Sequence, residues 1–322
     1  MKPLSHGKVP IDVLESTFLK LTGTHSLDIV TPPLPGLDFA ALKVAGKYMI
    51  VSADPVTGVT ENIGRYALCV SSNDVATSGN RPQFAESVVL LPEGADRVYA
   101  GKVARQMDDE AKKLGIAIVG GHTEVTPGLR RPIVMVTAFS FVDSYVSSRD
   151  AKPGDTIMMT KTAGLEGTAV LGGNLRFLER ISVVEEAVSA YGTGHVHAMH
   201  DCTEGGVIGA AFEMSLASGI GFELDEERVP VAPETSRLCR KLAIDPLKLI
   251  GSGALLLSVR RGKEAELEKV LSPICRSTPV GIFTERGRTL VREGGRRLAV
   301  RIAPEDELWR VLSRSPGRGH GV

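Results

Sequence analysis

The sequence predicts a two-domain protein of the α/β (α+β) class, because short apolar strands and amphipathic helices follow one another through both halves of the chain. The clearest example is the apolar run at 84–91, which is followed at 96–114 by apolar residues at helical spacing. A polar stretch with Ser, Pro and Gly at 144–154 separates the halves, as is typical of a domain boundary. We therefore expect domains at 1–148 and 149–322, with a disordered tail from about residue 314.

Each element is predicted from its hydrophobic pattern and from the Gly or Pro near its end. The first domain is expected to contain a helix at 10–21, a strand pair at 40–44 and 48–52, a helix at 62–78, a strand at 84–91, a helix at 96–114, and strands at 116–119 and 133–142. In the second domain we expect strands at 156–160, 196–200, 222–224, 253–259, 280–284, 289–292 and 298–302. Its helices are expected within 164–178 and at 183–191, 206–218, 233–242, 263–271 and 305–312.

The composition argues against several classes of protein. The 38 basic and 38 acidic residues cancel, and only 5% of residues are aromatic, which argues against binding to nucleic acid. No apolar run approaches the roughly 20 residues that span a bilayer, and the N-terminus lacks the apolar core of a signal peptide. The four cysteines form no CxxC pair. We expect a cytoplasmic protein with reduced thiols and no membrane or nucleic-acid partner.

Two acidic residues in the first domain lie at positions where a carboxylate suggests a specific role. Asp54 follows the strand at 48–52 and precedes Pro and Gly, so it is placed either to hold a hard cation or to form an Asx turn. Asp74 lies beside Asn73 inside an apolar helix, where Asp is unfavourable. A distant partner or a local cap would each explain Asp74.

A glycine pair follows the strand at 116–119. The segment reads Gly120-Gly121-His122-Thr123-Glu124. Paired glycines allow backbone N–H groups to approach an anion closely, and the next residues add a hydroxyl and a carboxylate. The alternative is an ordinary turn between a strand and a loop.

A similar segment in the second domain, Asp201 to Gly206, opens the helix expected at 206–218. Glycines at a helix N-terminus are typical of an anion site. The alternative is a helix cap with Asp201 as the N-cap residue. Both interpretations can hold together.

Other familiar sites are disfavoured. His195, His197, His200 and Cys202 are close in sequence, but alternation along a strand places His200 on the opposite face from the other two histidines. Without a second ligand cluster, zinc is disfavoured. Neither GxxxxGK[ST] nor a GxGxxG between a strand and a helix occurs, so any ATP site must use another scaffold.

Taken in order, these segments resemble the PurM-like superfamily of ATP-binding proteins, which are related to aminoimidazole ribonucleotide (AIR) synthase. The segment at 36–41 (GLDFAA) looks like the family's GDDAA, and 73–82 looks like its ND-x-x-x-x-G-x-x-P. The segment at 120–123 looks like GG-[DHE]-T, and 201–206 looks like D-x-T-x-GG. Among the members, the hydrogenase maturation proteins HypE are the most similar in the stretches at 161–171 and 197–201.

The resemblance implies an N-terminal mixed sheet that pairs across a homodimer and a C-terminal α/β sandwich. ATP would lie between the domains near the dimer interface, and Asp38, Asp54 and Asp74 would hold magnesium on its phosphates. The glycine pair would form a turn around the phosphates. The residues expected to contact the nucleotide are Asn73, Gly120, Gly121, His122, Thr123, Asp201, Gly205 and Gly206.

The sequence also departs from the HypE pattern. HypE proteins end in a cysteine that is carbamoylated and converted to a thiocyanate, whereas no cysteine follows Cys275 here, so this self-modification is not expected. Glu166 stands where HypE has a histidine, and Ser252 lies where a glutamate-containing turn is expected. Leu37 replaces the first acid of the GDDAA motif.

We therefore expect a HypE-like Mg-ATP-dependent enzyme that activates an amide- or carboxylate-type oxygen by phosphoryl transfer, in hydrogenase or other metalloenzyme maturation. Glu124 or Glu166 is the expected catalytic base. The expected partners are a second copy of the chain and a maturation protein. The alternatives are a small-molecule kinase resembling thiamine-monophosphate kinase, and a nucleotide-binding maturation factor without turnover.

Overall fold

A computed structural model of the chain describes residues 4, 6–173 and 175–314. The tail predicted from about residue 314 lies almost entirely outside the described residues. No helix in the described part of the chain combines the length and the apolar character that a membrane span requires.

The first half of the chain forms a five-stranded sheet in the order β1-β2-β5-β3-β4. Its pairs are antiparallel except for β3 and β4, which run parallel and are joined through a helix. The elements are α1 (Ile11–Ser16), β1 (Ala40–Val44), β2 (Lys47–Val56), α2 (Ile63–Ala76), β3 (Phe84–Leu91), α3 (Arg97–Leu114), β4 (Ala117–Val125) and β5 (Ile133–Val142).

The second half forms a seven-stranded sheet in the order β12-β11-β8-β10-β6-β9-β7. Its strands are β6 (Thr156–Thr160), β7 (Val196–Asp201), β8 (Gly221–Asp225), β9 (Leu255–Val259), β10 (Ser277–Thr284), β11 (Arg288–Arg292) and β12 (Arg296–Ala299). Its helices are α4 (Leu165–Gly172), α5 (Val184–Gly192), α6 (Gly206–Ser218), α7 (Pro233–Leu242), α8 (Glu264–Leu271) and α9 (Glu307–Ser313). The two sheets with their helices confirm the predicted α/β (α+β) class. The boundary predicted at 148/149 falls between β5 and β6 and stays a prediction.

Helix α2 occupies the centre of the molecule. It packs on β2, β5 and α3 of its own half and on α5 of the other half. Most of its residues are buried, and many are small (Gly64, Ala67, Cys69, Ser71, Ser72), so neighbouring elements approach it closely on several sides. The same apolar cluster includes Leu68 of α2 together with Val183 and Ala187 of the second half. The two sheets therefore share one core.

Several predicted elements are wrong in their extent; β10 begins at Ser277 rather than at 280, and β12 lies at Arg296–Ala299 rather than at 298–302. Helix α1 ends at Ser16 rather than at 21, because the apolar residues that follow have no core to enter; Phe18 is 71% exposed and Leu21 is 82% exposed. Strand β2 continues to Val56, so Asp54 lies within a strand and not in a turn after it.

Strand β4 differs most from its prediction. It was expected to be a short buried strand at 116–119 that ends in a glycine turn, but it runs to Val125 and all nine of its residues are exposed. The reason is its position, since β4 is the outer strand of the sheet and pairs only with β3 among the described strands.

Candidate functional site

Four aspartates from separate elements converge where the two halves meet. Asp38 lies just before β1, Asp54 is in β2, Asp74 is in α2, and Asp201 is the last residue of β7. The charges of the other three aspartates help to raise the pKa of Asp74, and those of Asp38 and Asp54 help to raise the pKa of Asp201. Sequence reasoning therefore selected four residues that the fold brings together.

Asp74 is the most deeply buried member of the first-domain set, at 5% exposure. Its Oδ2 accepts a hydrogen bond of 2.7 Å from Ser52 Oγ in β2, so the local-cap interpretation of this residue is wrong. Burial, followed by the charges of Asp54 and Asp201, raises the pKa of the Asp74 carboxyl well above its usual range. The repulsion among these acids is relieved either by a bound proton or by a cation shared among them.

Asp201 supplies the clearest sign of a missing partner. It is 2% exposed, and its Oδ2 has no hydrogen-bond partner among the described residues. Burial and the charge of Asp38 raise its pKa to about 8, although His200 and Lys8 act in the opposite direction. A buried carboxylate oxygen that faces other carboxylates and lacks a donor fits a hard divalent cation, which prefers oxygen ligands.

Asp38 is held by a histidine that sequence reasoning did not assign to this site. His200 Nδ1 pairs with Asp38, and His200 Nε2 lies 2.9 Å from Glu213 Oε2. Burial alone would lower the pKa of His200, but the two carboxylates outweigh it and raise the pKa to about 10. The imidazole is therefore a cation at neutral pH, and it holds Asp38 of one half against the other half.

Glycine at position 36 makes this arrangement possible. Gly36 has φ +83°, and a Cβ there would come within 2.3 Å of the carbonyl oxygen of Glu213. The backbone that carries Asp38 can therefore approach α6 only because residue 36 lacks a side chain. The GLDFA motif acts through this close approach as well as through its acid.

Glu166 lies in the first turn of α4 and faces a different part of the interface. Its Oε2 accepts a hydrogen bond from Ser252 Oγ. Burial raises its pKa to about 7, a shift that the Ser252 bond opposes and the charges of Asp306 and Glu204 assist. The hydroxyl of Tyr66 in α2 is buried without a partner among the described residues, and the charge of Glu166 acts on it.

The glycine-pair segment does not form the predicted phosphate turn. Gly120 to Thr123 lie within β4, where Gly121 has φ +150° and packs on the carbonyl of Ser87. His122 Nε2 lies 3.1 Å from Glu124 Oε2, and this bond, assisted by Thr126, lowers the pKa of Glu124. The turn prediction is wrong because the strand continues. The nucleotide contacts of these residues and the base role of Glu124 stay predictions.

Three other residues that were predicted to contact the nucleotide make close contacts within the protein. Asn73 donates to the carbonyl of Ile181 at 2.7 Å and accepts from the N–H of Val183 at 2.9 Å. The N–H of Gly205 donates to Asp306, and a Cβ on Gly206 would come within 2.6 Å of the carbonyl of Leu247.

The helix-cap interpretation of Asp201 is also wrong. Gly205 is the N-cap residue of α6, which has no side-chain cap bond. Asp201 ends the preceding strand, and its carboxylate faces the other acids.

The histidines that suggested zinc are bound to separate partners. His195 contacts Glu266 at 2.8 Å, His197 contacts Asp155 at 2.7 Å, and His200 bridges two carboxylates. Within the described residues, no group of three or more His, Cys, Asp or Glu side chains is spaced to hold a metal ion. This includes the four aspartates as they stand, and their role as metal ligands stays a prediction.

Two family models match consecutive parts of the chain. The N-terminal domain of AIR synthase related proteins matches residues 36–142, and the C-terminal domain matches residues 152–292. Together they cover every strand of the two sheets except β12, and all four aspartates. The chain belongs to the AIR synthase-related family.

Curated relatives support the resemblance to HypE. The chain is 29% identical over 287 residues to the carbamoyl dehydratase HypE of Escherichia coli K12, covering 83% of this chain and 82% of the relative. It is 27% identical over 300 residues to a putative hydrogenase expression/formation protein of Methanocaldococcus jannaschii, covering 85% of each.

Solved structures share the fold. The chain resembles HypE in a HypE–HypF complex with a TM-score of 0.77 and 21% identity, covering 90% of this chain and 99% of that chain. For HypE in complex with ATP, the TM-score is 0.72 and the identity 20%, with 95% of this chain and 98% of that chain covered. For thiamine monophosphate kinase from Aquifex aeolicus, the TM-score is 0.69 and the identity 17%, with 89% of this chain and 97% of that chain covered. At these identities the likeness shows the fold alone.

Proposed function

We propose that this chain is a HypE-like enzyme that binds magnesium–ATP at the four aspartates and activates an amide- or carboxylate-type oxygen by phosphoryl transfer. The observation that carries the proposal is the buried, unpartnered Oδ2 of Asp201 among three further aspartates. The relatives named carbamoyl dehydratase support an amide-type acceptor, and the ATP complex of a HypE supports the nucleotide.

The aspartates come from three elements and one loop, so they would hold a metal only when the two halves are in contact. Asp54, Asp74 and Asp201 are the first candidates as ligands, because Asp38 is paired with His200. Bound magnesium would neutralise charge on the ATP phosphates and so favour transfer of the terminal phosphoryl group. The binding of a divalent cation would also relieve the repulsion that raises the pKa of Asp74.

Glu166 is the base that the geometry supports better than Glu124. With a pKa of about 7, its carboxyl is partly ionised at neutral pH and can both accept and release a proton. Ser252 holds one carboxylate oxygen and so orients the side chain. Glu124 is exposed and its pKa is lowered, which makes it the weaker base.

For an amide acceptor, the proposed reaction is a dehydration. The amide oxygen forms a bond to the terminal phosphorus while the bond to the ADP oxygen breaks. The C–O bond then breaks, inorganic phosphate leaves with the former amide oxygen, and the nitrogen loses two protons as the nitrile forms. Glu166 would accept one of these protons, and the other would leave with the phosphate. The resemblance to thiamine monophosphate kinase is confined to the fold and gives no reason to prefer a kinase.

The proposal includes two protein partners. The exposed outer strand β4 supports a homodimer formed through the first sheet. The fold shared with HypE in its complex with HypF supports a maturation protein as a second partner.

Substitution of the aspartates tests the site. We expect Asp54→Asn and Asp74→Asn each to weaken Mg-ATP binding at least about tenfold, because each removes a charged oxygen ligand worth roughly 1.4 kcal/mol or more. Isothermal titration calorimetry with Mg-ATP measures this directly. Asp109→Asn, on the exposed face of α3, is the matched control and should bind as the wild type does. Unchanged affinity in both site variants would contradict the proposed site.

A further inference from the structure

The first residues that the structure describes cross over the second domain. His6 stacks on the ring of Trp309 in α9 at 6.3 Å between centroids. Gly7 has φ +94°, a left-handed backbone conformation that favours glycine, and a Cβ there would lie 2.2 Å from Glu204 Oε1. The backbone N–H of Lys8 then donates to Glu204 Oε1 at 2.7 Å. We call residues 6–10 the N-terminal strap.

The strap carries the ammonium group of Lys8 to the edge of the aspartate cluster. Lys8 Nζ lies 3.0 Å and 3.2 Å from the two carboxylate oxygens of Glu213. Its charge also acts on Asp201 and Glu204. About half of the Lys8 side-chain surface remains exposed, at 50%. The ammonium is therefore held against Glu213 at the edge of the cluster, while half of the side-chain surface remains in contact with solvent.

Two cations bond to Glu213 at the edge of this cluster within the described part of the chain, and they are not equivalent. His200 is enclosed between Asp38 and Glu213 with only 3% of its side chain exposed, so it is not free to meet a ligand. Lys8 has a single carboxylate partner and a flexible four-carbon stem. A lysine ammonium is a compact charge that binds phosphate well.

We propose that Lys8 is a ligand-contacting residue of the nucleotide site, and that its ammonium contacts a phosphate oxygen of bound ATP. This inference rests on the proposed function. In the absence of nucleotide, Glu213 holds the ammonium in place beside Asp201. The strap is then part of the site and not a loose N-terminus.

Calorimetry with two ligands tests the contact. We expect Lys8→Met to weaken Mg-ATP binding roughly tenfold and to leave adenosine binding unchanged, since only ATP offers phosphates. Lys8→Arg should restore most of the affinity because it keeps the charge. Lys20→Met, which removes an exposed lysine that has no part in the proposed site, is the matched control and should bind both ligands as the wild type does.

The outcomes separate this inference from the proposed function. If the wild type binds Mg-ATP and Lys8→Met binds it equally well, the Lys8 contact is wrong and the proposed function stands. Equal losses for ATP and adenosine would show that Lys8 acts only through the fold, and would overturn the contact. If the wild type does not bind Mg-ATP, the proposed function itself fails and the contact fails with it.

A second measurement uses the unaltered chain. Acetic anhydride labels accessible lysines, and mass spectrometry reports the labelling of each site. We expect Mg-ATP to slow the acetylation of Lys8 several-fold and to leave that of Lys20 unchanged, because a phosphate-bound ammonium is shielded. Equal labelling of Lys8 with and without nucleotide would overturn the proposal.

Discussion

Burial and charged partners together determine the protonation of the carboxyl groups at this site. The pKa of Asp201 is raised to about 8 and that of Glu166 to about 7, in each case mainly because the side chain loses contact with water. Glu213 shows the opposite result, since the cations of Lys8 and His200 outweigh burial and lower its pKa to about 2. Neighbouring carboxylates in one region therefore differ in charge at neutral pH according to their partners.

The raised pKa of Glu166 predicts how stability changes with pH. Its pKa in the folded chain, about 7, lies above the ordinary 4.5, so the folded state binds more protons in between. The free energy of unfolding should fall as pH rises from about 4.5 to 7. Glu166→Gln removes the free-energy cost of ionising this buried carboxyl and keeps a side-chain acceptor for Ser252. Relative to the wild type, the variant should gain up to about 3 kcal/mol between pH 5 and pH 8.

Urea unfolding of both proteins at pH 5 and at pH 8 measures this change. Glu285→Gln, on an exposed turn, is the matched control and should differ from the wild type equally at both pH values. The same pH independence in Glu166→Gln would contradict the raised pKa. If Glu166 is also the base, ATP turnover in the wild type should rise with pH through about 7, and the variant should lack that rise.

At the scale of elements, strand β4 is the strand best suited to pair with a strand of another chain. It exposes Val119 and Val125, at 58% and 51%, on an outer strand with free backbone groups. Unprotected outer strands with apolar side chains promote pairing with another chain. A second copy that pairs along β4 would cover these side chains and bring His122 and Glu124 close to a neighbouring protomer.

A lysine introduced into β4 tests the proposed dimer. Val119→Lys should convert a dimer of two 34.3 kDa chains into monomers, because the lysines would have to be buried at the interface. Light scattering coupled to size-exclusion chromatography gives the mass. Val98→Lys is the matched control, since Val98 is 73% exposed on α3, and it should leave the mass unchanged. A monomeric wild type, or a dimeric Val119→Lys, would contradict pairing through β4.

The elements also show what sequence reasoning can reach. Strands β3 and β5 and helix α3 were predicted almost to the residue, because each has an unbroken hydrophobic period and a clear stop. The second part of strand β4, from Gly120 onward, was mistaken for a turn because a glycine pair is the ordinary signal of one. The fold uses Gly121 instead for a close contact with the neighbouring strand β3.

The site itself could be predicted only in part. The four aspartates were found because each stands out against its local pattern or lies in a motif. His200, Glu213 and Lys8 were missed, since their contacts join residues that are distant in sequence and no periodicity marks them. The strap is held by Glu204 and Trp309, which are distant in sequence, so no local pattern indicates that it is fixed.

At the scale of the whole molecule, the two halves are joined by a shared core and by specific polar bonds. The side chain of Asn73, fully buried in α2, bonds to Ile181 and Val183 just before α5. The aspartates belong to different halves, so their spacing depends on this junction. Asn73 thus contributes to the site through position, whether or not it contacts a nucleotide.

Removal of the Asn73 amide should loosen the junction. Asn73→Ala leaves the carbonyl of Ile181 and the N–H of Val183 buried without partners, which should cost about 2–4 kcal/mol. Its neighbour Ser72 is equally buried, but its hydroxyl has no partner in the described structure, so Ser72→Ala should be neutral or slightly stabilising. Thermal and urea unfolding compare the two variants. Equal stabilities would mean that the apolar core alone holds the halves together, and the aspartates would then keep their spacing without this bond.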